Sequence, residues 1–159
     1  MTRIVGLALA ALLGLAGSLA PAFGQETTYR NERFGTTATF PSDAFPQPLE
    51  APVEGDGLGW VSPEGANLFV YARHNAGGET PRSVVAGRAL DDDVTYSRAG
   101  QRWAVVSGYR DGQIFYERYI FRGDLIHSMS IRYPEELRAR YDPLVGPVTM
   151  TLRGPSNAS

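Results

Sequence analysis

The chain contains no cysteine and no lysine, only two histidines, and no long apolar run after its first 24 residues. Without cysteine there is no disulfide, no thiol nucleophile, no thiolate metal site and no lipidated cysteine. Without lysine all 15 cations are arginine, the usage expected of a coding sequence rich in G and C rather than a sign of phosphate recognition. Set against 17 acidic residues they leave a net charge of −2 and no basic cluster. That balance excludes nucleic acid and anionic membrane surfaces as partners, because both need a concentrated positive patch.

What is present begins with the form of a cleavable export signal. Arg3 supplies the positive start, Ile4 to Leu15 the apolar stretch, and Ala22-Phe23-Gly24 the small residues that a signal peptidase reads. Gly14, Gly17, Ser18 and Pro21 interrupt the stretch before the roughly 20 apolar residues of a membrane span are reached. Residues 1–24 are therefore expected to be removed, and residues 25–159 to form one domain in the bacterial periplasm, with no membrane span after cleavage.

The mature chain centres on Arg102 to Tyr133, where three runs rich in apolar and β-branched residues are separated by polar, glycine-containing breaks. The runs Trp103 to Tyr109, Ile114 to Phe121 and Leu125 to Tyr133 predict an antiparallel meander. Asp111-Gly112 supplies the positive φ of a type I′ turn, and Gly123 the same freedom at the second break. Upstream, Phe34 to Phe40 reads as a strand, Ser42 to Gly57 with Pro46, Pro48 and Pro52 as an irregular connection, and Leu58 to Val61 with Asn67 to Arg73 as a hairpin. Trp60, Leu68, Val70 and Ala72 are core candidates by alternation. Thr80-Pro81 has the form of a helix start, predicting a helix to about Leu90 that buries Val84, Val85 and Leu90. A short extended piece is expected at Val94 to Ser97. Pro134 should open a short helical turn, Asp142-Pro143 should stop it, and a second segment should run to Leu152, leaving Gly154 to Ser159 as a frayed tail. The order predicts an α+β domain with a mostly antiparallel sheet of about six strands and helices packed on one face.

Three groups of residues carry possible chemistry. Ser107, His127 and a carboxylate, Asp124 or Glu117, are the residue types of acyl transfer. No G-x-S-x-G elbow exposes Ser107, however, and the meander register sets it about 10 Å from His127, two strands away. Asp91-Asp92-Asp93, with His74, are hard-cation ligand types without the spacing of a calcium loop, and read more simply as a solvated helix end. On the meander, alternation puts Ile114, Tyr116, Arg118 and Ile120 on one face and Phe115, Glu117, Tyr119 and Phe121 on the other. Either the sheet is covered on both sides, or one face lines a groove in which aromatic and arginine side chains bind a ligand or partner. The candidates for such binding are Tyr109, Tyr116, Arg118, His127 and Tyr133.

Tyr29-Arg30-Asn31-Glu32-Arg33-Phe34-Gly35, Phe40-Pro41, Tyr116, Tyr133-Pro134 and Tyr141-Asp142, in this order of elements, resemble the PsbP/Mog1-like superfamily, small domains with an antiparallel sheet between helical layers. Asp56 to Tyr71 and the meander also resemble small exported alphaproteobacterial proteins of unassigned function. The superfamily resemblance implies a non-catalytic binding or accessory factor that needs no cofactor or metal, with a protein or a small molecule as partner. A cell-envelope hydrolase is the alternative.

Overall fold

The computed structural model describes residues 24–155; the leader expected at the N-terminus falls almost wholly outside them. The architecture is an α+β domain built on an antiparallel sheet. The meander forms as β7 (Trp103–Arg110), β8 (Gln113–Arg122) and β9 (Leu125–Pro134). Asp111 and Gly112 take φ of 51° and 74° at its first turn, and Gly123 takes 58° at its second, the backbone those turns demand.

The hairpin is β4 (Gly57–Val61) and β5 (Asn67–His74), with β5 paired to β9. Two edges complete a seven-stranded sheet in the order β3-β4-β5-β9-β8-β7-β6, one strand more than expected. β3 is two residues, Gln47–Pro48, inside the proline-rich connection, where an edge tolerates the missing amide. β6 is a full edge strand, Asp93–Ala99. Most of its side chains are exposed on both faces, so no apolar alternation marks it in the sequence.

The segment from Gln25 to Phe40 is not part of this sheet. β1 (Glu26–Arg30) and β2 (Thr37–Pro41) form a separate hairpin. Asn31 builds its turn: its side chain accepts from the Phe34 amide and donates to Tyr29 Oη and the Gly55 carbonyl.

The helices lie on opposite faces, correcting the one-face expectation. α1 (Pro81–Asp91) begins at a Thr80 and Ser83 capping box and packs Val84 against Ala104, Val106, Phe115 and Tyr119. Leu90 is 87% exposed, because six residues of helix carry it about 240° round from Val84. α2 (Arg138–Thr149) follows a 3₁₀ turn at Glu135–Leu137 and, with β1–β2, covers the other face through Tyr141, Leu144, Val145 and Val148.

α2 runs through Asp142-Pro143 without the expected break. Pro143 and Pro147 lie on its exposed side, where water can satisfy the carbonyls they orphan. The end of the chain is docked as far as it is described: Arg153 bridges Thr37, and Pro155 rests against Gly35.

Among the described residues no helix is long and apolar enough to cross a membrane. Because interior proline is unfavourable in a helix by about 3 kcal/mol relative to alanine, and context absorbs part of that here, Pro143→Ala is expected to raise stability by roughly 1–2 kcal/mol in urea denaturation. A loss of stability would show that the proline is accommodated without cost.

Candidate functional site: two clefts on opposite faces of the sheet

On the α1 face a cleft of about 440 Å³ opens between α1 and the β5–β9 part of the sheet. Its inner wall is a helical stripe in which Val84, Arg88 and Asp91 succeed one another at spacings of four and three. Arginine thus occupies a position where an amphipathic helix would place an apolar residue, and this brings its guanidinium onto the sheet. Arg88 Nε meets Glu117 Oε2 at 2.9 Å, and Tyr119 Oη donates to that same oxygen. Arg110 Nη1 reaches the other oxygen, Oε1, at 2.8 Å. Both oxygens of the buried Glu117 are engaged.

Arg110 also holds Asp92, at the C-cap of α1, through two parallel bonds of 2.6 and 2.5 Å, while its guanidinium lies 4.4 Å from the Phe115 ring centre. The fork-to-fork geometry is the strong form of an ion pair. Arg110 holds the Asp92 carboxyl below its ordinary range, chiefly by hydrogen bonding. Burial and then Glu117 push the Tyr119 phenol well above its ordinary value, so Tyr119 remains a donor.

The outer wall owes its shape to two glycines. Gly57 and Gly59 of β4 pair with Tyr71 and Phe69 of β5. A Cβ on Gly57 would fall 2.2 Å from Tyr71 Cδ1, and one on Gly59 2.5 Å from Phe69 Cδ1, so both rings lean over space that only glycine leaves free. The rings, 6.0 Å apart with planes 23° from parallel, are drawn away from β9. This uncovers Ser128 and Ser130 as the cleft floor, and among the described residues neither hydroxyl has a hydrogen-bond partner. Arg132 also lines the cleft, its only ion pair among the described residues a 3.5 Å contact to the exposed Asp111.

On the α2 face a second cleft, about 310 Å³, gathers Tyr109, Tyr116 and Tyr133 with Arg138 and Asp142. Arg138 donates to Tyr109 Oη at 2.7 Å, and Tyr133 Oη donates to Asp142 Oδ1 at 2.5 Å. Burial, and then the bond to Asp142, raise the Tyr133 phenol; burial raises that of Tyr116.

Three of the sequence candidates therefore meet here, while Arg118 and His127 lie apart from the cleft. Arg118 sits 5.8 Å from the Trp103 ring centre. His127 is fully buried, with Nδ1 2.8 Å from Thr36 Oγ1 and Nε2 unpartnered among the described residues. Burial and then Arg122 depress its pKa.

The acyl-transfer group is not assembled. Ser107 donates to the Phe115 carbonyl at 2.9 Å, and pairs with Tyr116, whereas His127 pairs with Ile120 four residues along β8. Glu117 points to the opposite face, and Asp124 bonds His74 at 3.1 Å. Nor are His74 and the aspartates brought together: among the described residues no group of three or more His, Asp or Glu side chains is placed to hold a metal.

Sequence reading missed the α1-face cleft. Its signals were the polar residues Ser128, Ser130 and Arg132 alternating in an otherwise apolar strand, and two glycines opposite two aromatics.

No family model matches the chain, and no curated protein matches it in sequence. Among solved structures it is similar to the cyanobacterial PsbP (CyanoP) of Synechocystis sp. PCC 6803, with a TM-score of 0.62 at 10% identity over 90% of this chain and 99% of that one. A protein of Bacteroides thetaiotaomicron superposes with a TM-score of 0.47 at 13% identity, over 86% of this chain and 50% of that one. The fold is PsbP-like.

Two predictions follow from these environments. Glu117→Gln replaces an acceptor shared by three donors, and removing one partner of a buried ion pair costs about 3–5 kcal/mol. The 37% exposure of Arg88 moderates this, so a loss of about 2–3 kcal/mol is expected in urea denaturation; a change below half a kcal/mol would show the network to be energetically neutral.

His127 should make the fold acid-sensitive. Its native pKa is lower than the unfolded value of about 6.5, so below that pH the unfolded chain takes up a proton that the native ring refuses. Stability should then fall as pH drops, by up to about 1.4 kcal/mol per unit, and be fully present above about pH 6.5. His127→Gln should flatten denaturation midpoints between about pH 6.5 and 5; an unchanged slope would assign the effect to another group.

Proposed function

We propose that the chain is an exported, non-catalytic binding or accessory factor of the bacterial periplasm, acting through the α1-face cleft. The observation that carries this reading is the state of the cleft's polar groups. Its buried carboxylate, Glu117, has both oxygens engaged and can take a substrate proton only by breaking that network. Ser128, Ser130 and the edge of Arg132 meanwhile face open space, as recognition groups do. The signal-like leader supports export, and the PsbP-like fold supports an accessory role through the superfamily resemblance.

A hydrolase would need a hydroxyl paired with a base and accessible to substrate. The Thr36 hydroxyl does meet the His127 imidazole, but both residues are fully buried.

Expressed with its own leader in a bacterial host, the protein is expected in the periplasmic fraction beginning at Gln25. Thermal unfolding against sugars, peptidoglycan fragments, lipids and nucleotides should single out one class. At about 100 times its dissociation constant that ligand would add about 2.7 kcal/mol and be recovered chemically unchanged. Turnover of the stabilising compound would overturn the non-catalytic reading, recovery in the cytoplasmic fraction would overturn export, and retention of Met1 would overturn cleavage before Gln25.

A further inference from the structure

The three walls of the α1-face cleft differ in chemistry, and together they define a ligand class. One wall is apolar and ring-shaped: Phe69 and Tyr71, half-buried and leaning over Gly59 and Gly57, present a platform to the cleft. A ring-shaped molecule gains most there, because a flat apolar surface buries a flat partner with little loss of conformational freedom. The floor offers the two hydroxyls of Ser128 and Ser130 on alternate residues of β9.

The charge is less symmetrical than the four arginines of the lining imply. Arg88 and Arg110 are spent on Glu117 and Asp92, and Arg73 is held by Glu79 at 2.5 Å. Among the described residues Arg132 has only its long contact to Asp111, a side chain that is 84% exposed. Its guanidinium is therefore the cation with bonding capacity left, and a planar fork matches a carboxylate in two parallel bonds.

We propose that the cleft binds a small ring-bearing carboxylate, its ring against Phe69 and Tyr71, its carboxylate on Arg132 and its remaining polar groups on Ser128 and Ser130. The proposal rests on the binding reading above. An acidic sugar and an aromatic acid share this chemistry: the sugar lays its C–H face on the platform and uses both serines, whereas the aromatic acid stacks and leaves the serines to water.

Titration calorimetry on the protein recovered from the periplasm, with D-glucuronate and benzoate as probes, decides between them. Glucose and benzyl alcohol, which lack the charge, and acetate, which lacks the ring, are the controls. Saturable binding of one probe is expected, with every control at least about tenfold weaker, the order of one charge-assisted contact.

Two variants act on the cleft by different routes. Arg132→Gln should weaken the bound probe at least about tenfold by removing the cation. Gly59→Ala should weaken it by pushing the Phe69 ring back over Ser130, with the fold retained. Arg138→Gln, on the opposite face, should change nothing. Equal binding of probe and uncharged control, an unaltered affinity in Arg132→Gln, or no binding of either probe would each overturn the proposal. A different class of compound occupying the cleft would overturn it while leaving the binding reading standing; turnover of a probe would overturn the binding reading itself.

Discussion

The structure depends on Arg110. It stands at the end of β7, holds the C-cap of α1 through Asp92 and anchors Glu117 in the middle of the sheet. Without it the helix would have only a thin apolar stripe, Pro81, Val84 and Val85, to keep it on the sheet, since Gly87, Arg88 and Asp91 supply little hydrophobic area. Burying two carboxylates against two part-buried arginines is a poor route to stability, because desolvation offsets most of the attraction. What it gives instead is position: a bidentate pair tolerates one arrangement, whereas an apolar contact tolerates several.

The cleft is the consequence of that position and of two glycines. α1 is held over β6 and β7, and the rings of Phe69 and Tyr71 lean the other way, over β4. Between them the middle of β9 is left open, beyond the buried Ile126, and the chain places serine there rather than valine. A sheet residue under a packed layer is normally apolar; polar residues in the middle of a central strand mark where the layer is missing.

Much of the fold was legible because the meander states its own register. A strand whose turns fix both ends has little freedom to slip, and β7, β8 and β9 fall within one or two residues of the runs read from apolar patterning. The α1 cap was legible for a similar reason, since Thr80-Pro81 acts locally. The α2 stop was misread: the rule for Asp-Pro is local, but Asp142 is taken up by Tyr133 rather than capping a new helix, and burial of four apolar side chains outweighs two prolines on the wet side. Edge strand β6 reads only as a short extended piece at Val94 to Ser97, because most of its side chains are exposed and only Val94 packs inward. The sequence candidates came from counting aromatics and arginines on the meander; the structure brings Tyr109, Tyr116 and Tyr133 to one cleft and puts His127 in the core against Thr36, a partner 91 residues away that no local pattern points to.

The same reasoning sets the two clefts apart in what a ligand would meet there. On the α2 face the phenols of Tyr109 and Tyr133 are already matched to Arg138 and Asp142, so a polar ligand entering there must break bonds to make them. On the α1 face the costly bonds lie behind the cleft, between Arg88, Arg110 and Glu117, while the hydroxyls and the guanidinium at its surface have little to lose. A ligand there would exchange few partners, and a fully hydrogen-bonded network behind the wall would reduce the ordering that binding must otherwise supply. Recognition is strongest where the scaffold is satisfied and the surface is not, and in this chain the boundary between the two runs between Glu117 and Ser130, directly opposed on neighbouring strands.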